Sequence, residues 1–356
     1  MTLLVTGGAG FIGNRVIREA LARGERVVNA DLLTYAASLS SVWDLEEEPG
    51  YTLETIDITD AQEAARLFAT HAPRAVIHLA AETDDLRSRT NPLHALGTNV
   101  LGTATLLEAA RVHWESVGRP DGFRFLHASA PNVKGSRDVW ATPQGDQHYA
   151  PEAPQAASKA SADHLVQSWF QAFGLPTLMT RATDTYGPWQ NPEKLIPRAL
   201  TQAALGDQIE IFGDGQQTRD WLHVDDHARA IFAVLDGGTP GQSYGVATGN
   251  ELRDVDLVRA LCRQLQLRRP QPVPYSQQIT HLEDRPGIDQ ASAPVDAGPL
   301  RRDLGWAPRL SFDQGLAATI DWYVNHASWW KTIVTRRDET DRARSHVGPG
   351  PREAVA

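Results

Sequence analysis

Cysteine is nearly absent, since Cys262 is the only one among 356 residues. One thiol makes no intrachain disulfide and no metal–thiolate cluster, so a disulfide scaffold and a cysteine metal site are both excluded. Long apolar runs are missing as well. No stretch approaches the roughly 20 residues of a membrane span. Residues 1–6 lead directly into a glycine loop, without the basic and apolar regions of a signal peptide. The expectation is a cytoplasmic protein with no membrane contact and no bound metal. Positive charge is also in short supply. Lys and Arg number 34 against 44 Asp and Glu, a net charge of -10, and no basic block precedes the C-terminal tail. Binding driven by nucleic-acid phosphates is therefore not expected. A small anionic ligand remains compatible if a few local donors hold it.

What is present fits an ordinary globular chain, with 41% hydrophobic and 22% charged residues. At roughly 100–200 residues per domain, the length predicts two domains or one large α/β unit with an appended lobe. Leu3–Thr6 is a short apolar run that reads as a buried parallel strand. Arg26–Ala30 is a second strand, ending at Asp31. Further strands are predicted at Tyr51–Ile56, Ala75–Leu79, Arg124–His127 and Pro176–Thr180, with helices at about 61–70, 92–114 and 156–174. This alternation predicts an α/β fold, a Rossmann-type doubly wound parallel sheet. From about residue 188, Pro, Gly and Asp become frequent. That change marks a smaller C-terminal substrate-binding lobe, with some segments returning to the sheet. The division expected is 1–187 for the cofactor domain, 188–335 for the lobe and 336–356 for a mobile tail.

Gly7, Gly10 and Gly13 lie between the first strand and the first predicted helix. Such glycines make a tight turn, admit backbone N–H groups to a pyrophosphate and allow close helix–strand packing. The helix N-terminus adds partial positive charge. Asp31 closes the second strand, where a carboxylate accepts hydrogen bonds from both adenosine ribose hydroxyls and repels a 2′-phosphate. NAD is thus expected over NADP. Asp57 and Ile58 follow the third strand, where they can meet the adenine, although Asp57 taken alone reads better as a helix cap or turn residue.

Several longer blocks carry a family resemblance. They are Thr6–Gly13, Asp31–Tyr35, His78–Glu82, Thr98–Thr103, Ser158–Ser161, Tyr186–Pro188, Pro192–Pro197, Arg219–Leu222, Asp226–Arg229 and the segment 284–287. Together they resemble the dTDP-glucose 4,6-dehydratases, extended short-chain dehydrogenases of the NAD-dependent epimerase/dehydratase superfamily, from residue 1 to about 330. The resemblance implies a nucleotide-sugar ligand and a homodimer formed by residues 92–114 and 156–174. It implies NAD contacts at Gly7, Gly10, Phe11, Ile12, Gly13, Asp31, Thr34, Asp57, Ile58, Ala80, Ala81, Asn99 and Lys159. It implies ligand contacts at Arg87, Lys194, Leu195, Arg219, Asn250 and Arg285. The family's reaction removes a hydride from the hexose C4, eliminates water across C5 and C6, and returns the hydride to C6.

The resemblance breaks at the groups that move protons. Where the family has Tyr-x-x-x-Lys, this chain has Gln155–Lys159, keeping the lysine but not the phenol. Where the family has Ser-Thr-Asp-Glu-Val-Tyr-Gly, it has Ser129–Gly135, with Pro131 and Asn132 at the positions of the two acids. An amide does not titrate and cannot serve as a general base. General acid–base assistance is worth roughly 10²–10⁴ in rate for each group, so ordinary turnover is not expected. Asp184-Thr185 also replaces an Asn-Asn pair. Replacement chemistry points to Glu82, Asp84 and Asp85 just after the fourth strand, to Tyr149 with Asp146 and His148, and to Lys159. Three readings follow: a repurposed NAD-binding enzyme acting on a nucleotide sugar or natural-product intermediate, a catalytically silent helper, and a true dehydratase with relocated acid and base groups. The first is favoured.

Overall fold

The computed structural model describes residues 1–134, 151–284 and 293–335. Seven parallel strands form the main sheet: β1 (Thr2–Thr6), β2 (Arg26–Asp31), β3 (Tyr51–Thr55), β4 (Ala75–His78), β5 (Arg124–Ser129), β6 (Thr177–Ala182) and, late in the chain, β10 (Ser243–Val246). Their order is β10-β6-β5-β4-β1-β2-β3. The strands run nearly continuously apolar because both faces are covered. Leu3 and Val5 point into a core shared with α1 (Phe11–Ala22), whereas Leu4 points into the opposite core with α2 (Ala61–His71) and α5 (Gly102–Ser116). This is the doubly wound sheet expected, and β10 is the predicted return to it from the later part of the chain. Among the described residues no helix is long and apolar enough to cross a membrane.

The predicted helix at 92–114 is a broken one. Helix α3 (Asp85–Thr90), which had not been predicted, precedes α4 (Pro92–Leu96). Asn91 caps α4, and Pro92 occupies its first turn, where the missing N–H costs nothing. A π-turn at Gly97–Leu101 then leads into α5. It carries Asn99, whose amide ties Glu82 to Ser158 (Glu82 N to Oδ1, 2.8 Å; Nδ2 to Ser158 Oγ, 2.7 Å). Helix α6 (Pro154–Phe173) follows and ends at Gly174 in the left-handed conformation.

The later part of the chain forms its own core, with Ile196, Ile209, Leu257, Leu261, Leu316 and Trp330 buried together. Its elements are α7 (Leu195–Leu205), α9 (Asp254–Arg268) and α11 (Phe312–Asn325), with short sheets β11-β9-β7 and β12-β8. In these, β7 is Asp184–Tyr186, β8 Ile209–Phe212, β9 Thr218–His223, β11 Glu251–Arg253 and β12 Ile279–Leu282. Helix α8 (Val224–Gly237) packs back on α1. After α11, Trp329 meets Trp189 and Trp322 edge-on, and its indole N–H donates to Ser38 Oγ (2.9 Å). The Ser38 amide in turn donates to the carbonyl of Ala9 in the glycine loop (2.9 Å).

Candidate active site

The strand order reverses at β1 and β4, whose C-terminal ends open a crevice where ligands of such sheets bind. A cavity of about 490 Å³ lies there. One end is built by the turn after β1. Gly7 has φ +71°, and a Cβ on it would meet the Ala80 amide nitrogen at 2.7 Å, so only glycine fits. Gly10 caps α1 without any side-chain hydrogen bond, and no acid stands in the first turn, which leaves the helix N-terminus open to an anion. Asp31 is buried. Its two oxygens accept from the amides of Ala9 (2.9 Å) and Leu33 (2.8 Å), and each retains a lone pair. Burial raises its carboxyl above the usual range, and the two amides pull it back. Phe11, Ile12, Gly13, Thr34, Asp57, Ile58, Ala80 and Ala81 line this same end. Asp57 also makes a turn, accepting from the Thr59 amide and hydroxyl, while Asp60 caps α2. These residues fit a dinucleotide with its pyrophosphate at α1.

The opposite wall comes from the end of β5 and the start of α6. Lys159 is buried, and its ammonium donates to the Ala128 carbonyl (2.7 Å). Burial pushes it down to about 8, partly offset by Asp163. Asp163 is itself held low, against its burial, by His127, Arg181 and Ser129. Where a phenol and an acid are absent, two amides meet: Asn132 Nδ2 donates to Gln155 Oε1 (2.8 Å), with Gln155 buried. Neither of these two side chains titrates, so the pair binds and orients but takes up no proton.

The acids expected to supply replacement chemistry fall into different roles. The buried Glu82 carboxylate accepts from the Tyr35 hydroxyl (3.0 Å) and from the amides of Thr83 and Asp84, and lies 3.5 Å from Arg87 Nε. It therefore staples the loop after β4, although its residue lines the cavity. Asp84 caps α3 through the Arg87 amide (2.8 Å) and does not line the cavity, whereas Asp85 does. Arg87 stacks over the Tyr35 ring at 3.8 Å, outside the lining. Asn99 is buried behind the cavity wall. Lys194, Leu195 and Arg219 line the far end, and Asn250 does not. Tyr149, with Asp146 and His148, and Arg285 lie outside the described residues, as does the segment 336–356. Sequence reasoning missed the Tyr35–Glu82–Arg87 stack and the pairing of Arg219 with Asp254 (3.0 Å). Such contacts join residues far apart in the chain and leave no local pattern.

With this geometry in view, the comparisons with known proteins are specific. The family model for GDP-mannose 4,6 dehydratase matches residues 4–319. The dTDP-glucose 4,6-dehydratase of Escherichia coli is 41% identical over 350 residues, covering 94% of this chain and 96% of that protein. That of Xanthomonas campestris pv. campestris strain B100 is 43% identical over 337 residues, covering 94% and 96%. Among solved structures, DesIV, the dTDP-glucose 4,6-dehydratase of Streptomyces venezuelae crystallised with NAD, superposes with a TM-score of 0.83 at 34% identity, covering 94% of this chain and 100% of that one. The UDP-glucose 4-epimerase of Thermus thermophilus, also with NAD, gives 0.77 at 26%, covering 92% and 100%. The chain belongs to the dTDP-glucose 4,6-dehydratase family, within the NAD-dependent nucleotide-sugar dehydratases and epimerases.

Proposed function

We propose that this chain binds NAD at the glycine-loop end of the cavity and a nucleotide sugar at the other, and that it has been repurposed away from tyrosine-based 4,6-dehydration. In this reading residues 1–187 hold NAD and residues 188–335 mainly the ligand. When bound, NAD supplies a hydride acceptor. The chain's residues do the rest. Asp31 accepts the ribose hydroxyls and disfavours a 2′-phosphate, the open N-terminus of α1 faces the pyrophosphate, and Lys159 places a cation at the end of β5. The observation that carries the reading is the Asn132–Gln155 amide pair, which lines the cavity with groups that donate and accept hydrogen bonds but do not exchange protons. The NAD found in related crystal structures and the length of the match support the cofactor.

Calorimetry tests the binding half. NAD is expected to bind the purified chain, NADP to bind at least tenfold more weakly, and dTDP-glucose to bind the NAD-loaded protein. No heat with NAD overturns the reading. The second reading, dehydration through relocated groups, is favoured by Asp85, which lines the same cavity. It requires Asp85→Asn to remove product formation.

We also propose a homodimer. Leu86, Leu93, Leu101, Val112 and Phe173 are exposed along α3 to α6 at 51%, 77%, 56%, 52% and 42%, an apolar series suited to a second copy. Sedimentation is expected to give twice the mass of one chain, and Leu93→Asp with Leu101→Asp to give a monomer.

A further inference from the structure

In the wall made by the end of β5 and the start of α6, Lys159 stands one helical turn after Gln155, on the same side of the helix. It is 5% exposed and lines the cavity. Its only hydrogen bond among the described residues goes to the Ala128 carbonyl (2.7 Å). A carbonyl accepts from a neutral amine and from an ammonium alike, so this contact does not require the charge.

The surrounding ionisable groups do not require it either. Asp163, one turn further along α6, accepts from Ser129 Oγ (2.8 Å) and Arg181 Nη2 (2.9 Å), with His127 Nε2 at 3.5 Å. Arg181 on β6 is a cation. His127 on β5 and His78 on β4 are buried, and burial holds both neutral. Asp85 on α3 and Glu152 ahead of α6 line the same cavity and have partners of their own. A lysine buried without an ion pair among the described residues is biased toward its neutral amine. The same burial brings its titration down to about 8, against a smaller pull from Asp163.

We propose that the neutral amine of Lys159 is the base for oxidation of a ligand hydroxyl, in the place where the family has a phenol. The hydroxyl proton passes to Nζ, the carbon's hydride leaves to NAD as the oxidant, and the C–O bond becomes a carbonyl. One O–H and one C–H bond break, and one N–H and one C=O bond form. The product is a bound keto sugar, because Pro131 and Asn132 supply no acid for elimination. This rests on the reading that the cavity holds NAD and a nucleotide sugar.

Two readouts test it. The chain's four lysines are Lys134, Lys159, Lys194 and Lys331, few enough to resolve by NMR after labelling lysine Cε with carbon-13. The Lys159 signal, assigned by its loss in Lys159→Arg, should titrate with a midpoint of about 8 in the NAD-free chain. In the NAD-loaded chain mixed with dTDP-glucose, absorbance of reduced nicotinamide should appear in a single turnover. Its rate should rise about tenfold per pH unit below that midpoint and level off above it. Lys159→Arg keeps a cation that does not deprotonate. Its rate should be about 100-fold lower or less at every pH, at NAD and sugar concentrations that calorimetry shows to be saturating.

A Lys159 signal that titrates only above about pH 10, a rate that does not follow the titration, or a Lys159→Arg rate equal to wild type overturns the proposal and leaves the binding reading standing. So does reduction that is lost in Asp85→Asn or Glu152→Gln but kept in Lys159→Arg, or no reduction at all with both ligands bound. If calorimetry finds neither NAD nor dTDP-glucose bound, the binding reading falls and the proposal falls with it, whatever the NMR midpoint.

Discussion

The two walls of one cavity differ in the chemistry of the groups they present. The wall made by the turn after β1 and the end of β2 has the features a dinucleotide requires: a glycine in a conformation closed to other residues, an uncapped helix N-terminus, and a carboxylate held by two amides. The wall made by the end of β5 and the start of α6 presents Lys159, Pro131 and the Asn132–Gln155 pair of amides. The first wall is shaped for binding, and the second, apart from Lys159, offers groups that do not exchange protons. The first is written largely in backbone geometry and the second in three or four side chains.

The comparison sharpens most by rebuilding the second wall. Pro131→Asp, Asn132→Glu and Gln155→Tyr together should raise conversion of dTDP-glucose to its 4-keto-6-deoxy product by about 10⁴ or more, since each restored acid or base contributes roughly 10²–10⁴. Gln155→Tyr alone should give reduced NAD without elimination, visible as absorbance near the reduced nicotinamide band. If the triple variant is no faster than wild type, the missing groups are not what separates the walls.

The first wall breaks with one methyl group. Gly7→Ala puts a Cβ against Ala80 N in a left-handed conformation, so NAD affinity should fall at least 100-fold and stability by about 1–3 kcal/mol. Calorimetry and thermal melting read the two effects.

A smaller effect comes from pH. His227 is buried beside Thr185 at 2.9 Å, and burial pushes it down to about 4. An unfolded histidine titrates near 6.5, so below that pH the unfolded chain takes a proton that the folded chain refuses. Stability attributable to this group is full above about 6.5 and falls toward pH 4, by up to about 1.4 kcal/mol per pH unit. Urea unfolding at pH 7, 6 and 5 measures it. NAD binding over pH 6 to 7 should be nearly flat, because His227 stays neutral in the folded chain across that range.

The smallest expected effect concerns the strap from the C-terminal segment. Trp329→Phe keeps an aromatic ring but removes the N–H given to Ser38, and Ser38→Ala removes the acceptor. Each should speed NAD release about two- to fivefold, and the double variant should be no worse than either single one. Stopped-flow fluorescence follows the release. Additive losses would mean that the two residues act independently.

Much of the fold was legible because its signals are local. Leu3–Thr6, the glycines at 7, 10 and 13, and Asp31 lie in one continuous strand–turn–helix–strand unit. The break in the 92–114 helix was not legible. Its apolar period continues through the π-turn, and the reason for the turn, the reach of Asn99 to Glu82 and Ser158, is tertiary. Helix α3 escaped notice because six residues carry too little periodicity. Glu82 and Asp84 read as spare carboxylates in the sequence, yet in the fold they accept from neighbouring amides and from Tyr35. The Asp184–Arg219–Asp254 group was equally invisible, since its members come from three separated segments.

The most direct test of the central claim is the turnover of dTDP-glucose by the purified NAD-loaded wild-type chain, followed by the alkaline absorbance of the 4-keto-6-deoxy sugar. An amide pair in place of a phenol and two acids predicts a rate at least several powers of ten below that of the rebuilt triple variant. Conversion at the triple variant's rate would contradict it.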